Sequence, residues 1–175
     1  KIGRVISSQA DAYGLERAAG LGIATHTVRP KDHPGTESFS AELFREIREC
    51  RPDLVCLGGW LCLIRVPDDY TGRVINIHPA LLPSFGGKGM YGTHVHEAVL
   101  AAGCKVSGCT VHFVDETYDT GPIIIQRPCA VEEGDSPASL AARVFEQECV
   151  AYPEAIRLVI EDRLTLSGRR VLHNK

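Results

Sequence analysis

The sequence has 175 residues, 44% of them hydrophobic, so it is long and apolar enough to form one domain with a sizeable core. Its 19 basic and 22 acidic residues nearly balance, which excludes the strongly basic surface that nucleic-acid binding requires. The mean hydropathy is −0.04, and no apolar run approaches the roughly 20 residues that span a bilayer, so we expect no membrane partner either.

Strand and helix patterns alternate along the first half of the chain. The predicted elements, in order, are a strand over 2–7, a helix over 11–19, a strand over 23–28, a helix over 37–50 and a strand over 53–58. Strands that alternate with helices predict an α/β fold: a Rossmann-like, mostly parallel sheet with helices on both faces.

The second half contains longer elements. They are a strand over 73–79, a loop over 79–91, a helix over 93–102, strands over 107–114 and 122–131, a helix over 136–162 and a hairpin over 164–173. Ser136 is a suitable N-cap for the last helix, and Pro153 is expected to kink or break it. No linker or repeat interrupts this pattern, so we predict a single domain over residues 1–175.

Seven cysteines are spread along the chain without a CxxC pair. Most lie in apolar runs, where a thiol acts as a small buried hydrophobe. Metal ligands would be clustered at a set spacing, and this sequence has no such cluster. Because so many free thiols are typical of a reducing compartment, we predict a cytoplasmic protein without a metal site.

The strand over 73–79 ends in two polar side chains, Asn76 and His78. They are two residues apart, so both point to the same side of the strand. They also lie at its carboxyl end, where open α/β sheets bind ligands. Two interpretations stay open: a functional pair, or an asparagine that caps a loop beside a histidine that bonds the backbone.

Three acidic residues, Asp115, Glu116 and Asp119, lie between the two strands that follow. An exposed acidic turn is the usual explanation for such a run. Asp119 differs from the other two because a Thr-Gly-Pro sequence follows it and turns the chain tightly around it. It is therefore a candidate functional carboxylate.

Two further features admit both a functional and a structural explanation. Glu148 shares a face of the last helix with apolar residues, so it forms a salt bridge, is protonated, or awaits a cationic ligand. The glycine-rich loop over 85–92 matches no phosphate-binding motif. It is either a lid whose Lys88 faces an anion or a set of hinges.

Three histidines are not predicted to be functional. His94 and His96 are two residues apart on a helix and cannot share a face to hold a metal. His112 lies within a strand and is interpreted as a hydrogen-bonded core histidine.

Three segments together resemble the folate-dependent formyltransferase family: NIHPALLPSF over 76–85, SGCTVHFV over 107–114 and DTGPII over 119–124. The resemblance covers nearly the whole chain. It implies transfer of the formyl group of 10-formyltetrahydrofolate, the co-substrate, to the amine of glycinamide ribonucleotide, without a metal. It also implies small-molecule partners only, and a monomer or homodimer.

The resemblance also assigns roles to individual residues. It implies that Asn76, His78 and Asp119 are catalytic. The implied binding residues are the main chain of Leu63 and Ile64 with Asp115, Glu116 and Asp119 for the pterin, and Pro79, Glu148 and Lys88 for the amine substrate.

The sequence departs from the family's pattern at three places. The family has a strand, a phosphate loop and a helix before the equivalent of Ile2, so we expect the natural domain to have upstream residues. Cys62 stands where some relatives have Arg, and Phe145 stands where a polar substrate contact is common. The alternatives are a formyltetrahydrofolate hydrolase, which normally has His in place of Pro79, and a catalytically degenerate folate-binding relative.

Overall fold

The computed structural model describes residues 1–174, which form eight β-strands and four α-helices. The strands are β1 (Arg4–Ser7), β2 (Ala24–Thr27), β3 (Val55–Leu57), β4 (Val74–His78), β5 (Val106–Phe113), β6 (Ile123–Ala130), β7 (Leu164–Ser167) and β8 (Arg170–His173). The helices are α1 (Tyr13–Gly20), α2 (Thr36–Glu49), α3 (Thr93–Ala101) and α4 (Pro137–Ile160). Every predicted element is present, and its ends lie within about two residues of the prediction.

The predicted α/β fold class is confirmed, but the sheet is mixed rather than mostly parallel. Six strands form one sheet in the order β3-β4-β5-β6-β8-β7, and β1 pairs with β2 in a separate parallel sheet. β3 and β4 pair parallel, whereas β5 is antiparallel to both β4 and β6. The connection over 114–122 is too short for the crossover that parallel neighbours need, so β5 and β6 form a hairpin.

β4 divides the apolar core in two. Its neighbouring residues Val74 and Ile75 point to opposite faces of the sheet, and each belongs to a different buried cluster. The helices supply Phe39, Leu43, Phe44 and Ile47 from α2 to the first cluster, and Val99, Leu140 and Val144 from α3 and α4 to the second. Helices therefore cover both faces, as predicted, and hold β4 between them.

The long helix α4 begins where the sequence predicts. The Ser136 side chain accepts a hydrogen bond from the backbone of the first turn and caps the helix. The helix continues to Ile160, so Pro153 does not break it. Neither α4 nor any shorter helix in residues 1–174 combines the length and apolarity that crossing a membrane requires.

Tyr152 attaches α4 to the carboxyl end of β3. Its hydroxyl donates a hydrogen bond to the carbonyl oxygen of Leu57, at 2.6 Å. Glu148 lies about one turn earlier on the same helix. The bond therefore holds this carboxylate near the edge of the sheet where β4 also ends.

Candidate active site

A cavity of about 760 Å³ opens at the carboxyl end of β4. Among its polar lining residues we distinguish two groups, which we call the strand side and the helix side. The strand side consists of Asn76, His78 and Asp119, and the helix side consists of His96 on α3 and Glu148 on α4. Open α/β sheets bind ligands at this position.

On the strand side, β5 places His112 beside Asn76. The two are direct partners in the antiparallel register of β4 and β5. His112 Nδ1 lies 2.8 Å from the carbonyl oxygen of Phe113 and donates to it, which leaves Nε2 of a neutral ring as an acceptor. The Asn76 amide donates to that Nε2, at 3.3 Å. This bond orients the amide and leaves its second N–H without a partner in residues 1–174.

His78 is buried between a carbonyl group and a carboxylate. Its Nε2 donates to the carbonyl oxygen of Phe85 at 2.8 Å, and its Nδ1 lies 3.5 Å from Oδ2 of Asp119. Burial lowers the pKa of His78, and the negative charge of Asp119 opposes this effect. A neutral ring with its proton on Nε2 thus presents a bare Nδ1 to a carboxylate, an arrangement ready to take up a proton.

Asp119 has a backbone donor and two histidines around its carboxylate. Its Oδ2 accepts a hydrogen bond of 2.9 Å from the backbone N–H of Gly87, and its Oδ1 lies 3.7 Å from Nε2 of His112, beyond hydrogen-bond distance. Burial alone would raise the pKa of Asp119, but the Gly87 donor and the nearby histidines outweigh burial and lower it. The carboxyl group is therefore ionised at neutral pH.

The tight turn predicted after Asp119 is present. Asp119 itself has a φ of +57°, a left-handed conformation that residues other than glycine seldom adopt. A Cβ at Gly121 would overlap the carbonyl oxygen of Phe113, so only glycine fits there. The hydroxyl of Thr120 donates to Asp115 at 2.7 Å and closes the loop. This closed loop is what aims the Asp119 carboxylate at His78.

The helix side differs in having polar groups without protein partners. Burial is the only influence on the pKa of Glu148, which it raises, and no group in residues 1–174 forms the salt bridge considered above. His96 is 4% exposed, and its Nδ1 forms no hydrogen bond with any group in residues 1–174. Buried polar groups are normally satisfied, so the unbonded Nδ1 of His96 is unusual.

The remaining predicted binding residues divide into two groups. Pro79 and Lys88 line the cavity, whereas Leu63, Ile64, Asp115 and Glu116 do not. The Ile64 side chain packs in the core beneath α2, which leaves only its main chain available to a ligand.

Two hydrogen bonds join the acidic loop to the segment after β3. The Arg65 side chain donates to the carbonyl oxygen of Glu116 at 3.3 Å, and the hydroxyl of Tyr118 donates to the carbonyl oxygen of Leu61 at 3.4 Å. Tyr118 and Leu61 both line the cavity, so the loop and the segment after β3 meet at its edge.

His112 is a contributor that sequence patterns alone miss. It is buried and hydrogen-bonded, as predicted for a core histidine, yet its partner is the Asn76 amide. The signal is the antiparallel register of β4 and β5, which the order of residues along the chain does not reveal.

Two further observations concern potential metal ligands and the cysteines. Among the described residues, no group of three or more His, Cys, Asp or Glu side chains is placed to hold a metal ion. The seven cysteines are free, but the prediction that most of them are buried is wrong: only Cys109 is fully buried, four are partly exposed, and Cys56 and Cys149 are exposed.

Comparison with known proteins identifies the class to which this site belongs. Residues 1–156 match the family model described as formyl transferase, so the chain belongs to the formyl transferase family, as its motifs predict. Over 164 residues it is 40% identical to the phosphoribosylglycinamide formyltransferase of Escherichia coli K12, covering 93% of this chain and 75% of that protein.

Solved structures and longer relatives agree with this assignment. The crystal structure of glycinamide ribonucleotide transformylase 1 from Symbiobacterium toebii matches with a TM-score of 0.93 and 42% identity, over 100% of this chain and 81% of that one. The trifunctional purine biosynthetic protein adenosine-3 of Drosophila pseudoobscura is 41% identical over 162 residues, which are 91% of this chain and 12% of the relative. The chain thus spans a small fraction of the trifunctional relative and most of the bacterial ones.

Proposed function

We propose that this protein transfers the formyl group of 10-formyltetrahydrofolate to the primary amine of glycinamide ribonucleotide, a step of de novo purine biosynthesis. The main support for the proposal is that Asn76, His78 and Asp119 line one cavity. Glu148 lines the helix side of the same cavity. The relatives named above support the choice of substrates.

The reaction requires a donor for the oxygen of the formyl group. Attack of the amine nitrogen on the formyl carbon forms a C–N bond and places negative charge on that oxygen. The free N–H of Asn76, oriented through His112, is suited to stabilise this charge. A single donor of this kind typically contributes about 3–4 kcal/mol to transition-state stabilisation.

The reaction also requires a path for one proton. The amine loses a proton, the bond between the formyl carbon and N10 of the folate breaks, and N10 gains a proton. Nδ1 of His78 is able to hold the proton between these steps, and the carboxylate of Asp119 stabilises the charged ring. No metal is needed, because the folate itself carries the one-carbon unit.

The other predicted residues bind the two substrates in this proposal. Glu148 attracts the amino end of the ribonucleotide, with Pro79 and Lys88 beside it. The pterin contacts the main chain of Leu63 and Ile64, together with the loop that carries Asp115, Glu116 and Asp119.

The proposed setting is a single domain in the reducing cytoplasm, as a monomer or homodimer that binds only small molecules. The free thiols support a reducing compartment. A hydrolase that uses water as the acceptor would not need the unpaired carboxylate of Glu148.

The test is a formyl-transfer assay with purified full-length protein, 10-formyltetrahydrofolate and glycinamide ribonucleotide. We expect one formylated amine for each tetrahydrofolate released, and no turnover without the amine. Release of formate at the same rate with and without the amine would instead identify a hydrolase. No reaction under either condition would identify a degenerate relative.

A further inference from the structure

His96 lines the cavity but has no part in the reaction described so far. It lies in the first turn of α3 and is 4% exposed. Its Nδ1 is enclosed by the protein and bonds no group in residues 1–174. A buried polar atom without a partner weakens the free protein, so a contribution to stability does not account for His96 at this position.

Two other histidines near the cavity have polar partners, unlike His96. His112 is also buried, and its two ring nitrogens lie within hydrogen-bond distance of Phe113 and Asn76. His94, two residues before His96 on the same helix, is exposed and lies 3.4 Å from Glu97.

The surroundings of His96 determine what it can bind. Burial lowers the pKa of His96, and the neighbouring His78 adds to this effect, so the ring is neutral and carries one proton. Orphaned N–H groups are rarer in protein interiors than acceptors without a donor. We therefore assign the proton to Nε2, which is not among the fully enclosed unbonded atoms, and infer that this edge of the ring faces the cavity that His96 lines. A neutral N–H donor is matched by an oxygen acceptor.

We propose that Nε2 of His96 donates a hydrogen bond to the amide carbonyl oxygen of the amine substrate. In glycinamide ribonucleotide that carbonyl carbon is two bonds from the amine nitrogen, so the two groups of the helix side have complementary partners on one ligand. Glu148 attracts the amine, and His96 favours ligands that have an amide carbonyl next to that amine. This inference rests on the proposed function, which supplies the substrate.

Three substitutions of His96 in the full-length protein test this contact. His96→Leu keeps the volume and removes the donor, and we expect the KM for the ribonucleotide to rise roughly 10- to 100-fold. His96→Gln places an amide N–H near the position of Nε2 and should restore most of the affinity. His96→Asn is too short to reach that position and should not. His94→Leu, on the same helix, is the matched control and should leave KM unchanged.

Thermal unfolding separates this role from a purely structural one. Because His96→Leu removes an unsatisfied buried nitrogen, we expect its Tm to equal or exceed that of the wild type, with kcat and the KM for the folate within about twofold. An unchanged KM for the ribonucleotide in His96→Leu, or equal behaviour of the Gln and Asn variants, would overturn the assignment of His96 alone. A wild-type protein that does not formylate this amine would overturn the proposed function, and the role of His96 with it.

Discussion

The strand side and the helix side of the cavity place ionisable groups at similar depth but treat them in opposite ways. On the strand side, Asp119 is surrounded by a backbone N–H and two histidines, and its pKa is lowered. On the helix side, burial raises the pKa of Glu148, and no charged group in residues 1–174 opposes this effect. One carboxylate is stabilised by the protein itself, and in the proposed function the other waits for the substrate.

We interpret the strand side as preorganised for the reaction and the helix side as arranged to recognise the substrate. Groups that stabilise charge during a reaction work best when the folded protein already holds them in place. Groups that recognise a substrate gain most when they are unsatisfied until the substrate arrives, because binding then recovers the cost of their burial. Substitutions on the strand side should therefore lower kcat, and those on the helix side should raise KM.

The largest effect is expected for the proton path. Asp119→Asn keeps the shape of the side chain but removes the charge that supports a proton on His78. We expect kcat for formyl transfer to fall by roughly 10²–10⁴-fold. His78→Ala should have a similar effect, and the double variant should be little worse than either single variant, because the two residues act as a unit. Fully additive losses in steady-state kinetics would refute this pairing.

A somewhat smaller loss is expected for the formyl oxygen donor. Asn76→Ala removes the amide that His112 orients, and kcat should fall by about 10²–10³-fold with little change in either KM. Asn76→Asp has nearly the same size but no donor, so it is the matched control and should be at least as impaired. A change confined to KM would mean that Asn76 binds a ground state instead.

His112 should matter less, because it acts through another residue. His112→Leu leaves the Asn76 amide in place but unfixed, so we expect about a tenfold decrease in kcat. His112→Asn, which retains a polar group, should recover part of that loss. If His112→Leu were as active as the wild type, the orientation of Asn76 would not depend on this bond.

Several parts of this site follow from sequence because they depend on local patterns. The alternation of polar and apolar residues places Asn76 and His78 on one side of a strand end, and the Thr-Gly-Pro sequence predicts the turn that holds Asp119. The apolar face of α4 likewise makes Glu148 conspicuous. Each of these signals lies within about ten residues of chain.

Other parts depend on contacts between distant segments. The antiparallel direction of β5, which pairs His112 with Asn76, arises from strand pairing that no local pattern encodes. The missing partner of His96 is likewise visible only when α3 packs over the cavity. The mixed sheet shows the same limit, since alternating strand and helix patterns favour parallel neighbours by default.

The most direct test of the contrast is thermal unfolding of two matched variants, Asp119→Asn and Glu148→Gln, as a function of pH. At pH 7 we expect Asp119→Asn to lower Tm by about 2–8 °C, because the native state favours the ionised carboxylate, and this loss should fade as pH falls through the lowered pKa of Asp119. Glu148→Gln should raise Tm by about 1–4 °C at pH 7, because burial favours the protonated form, and this gain should vanish below the ordinary pKa of glutamate. Shifts of the same sign in both variants at pH 7 would contradict the division between the two sides.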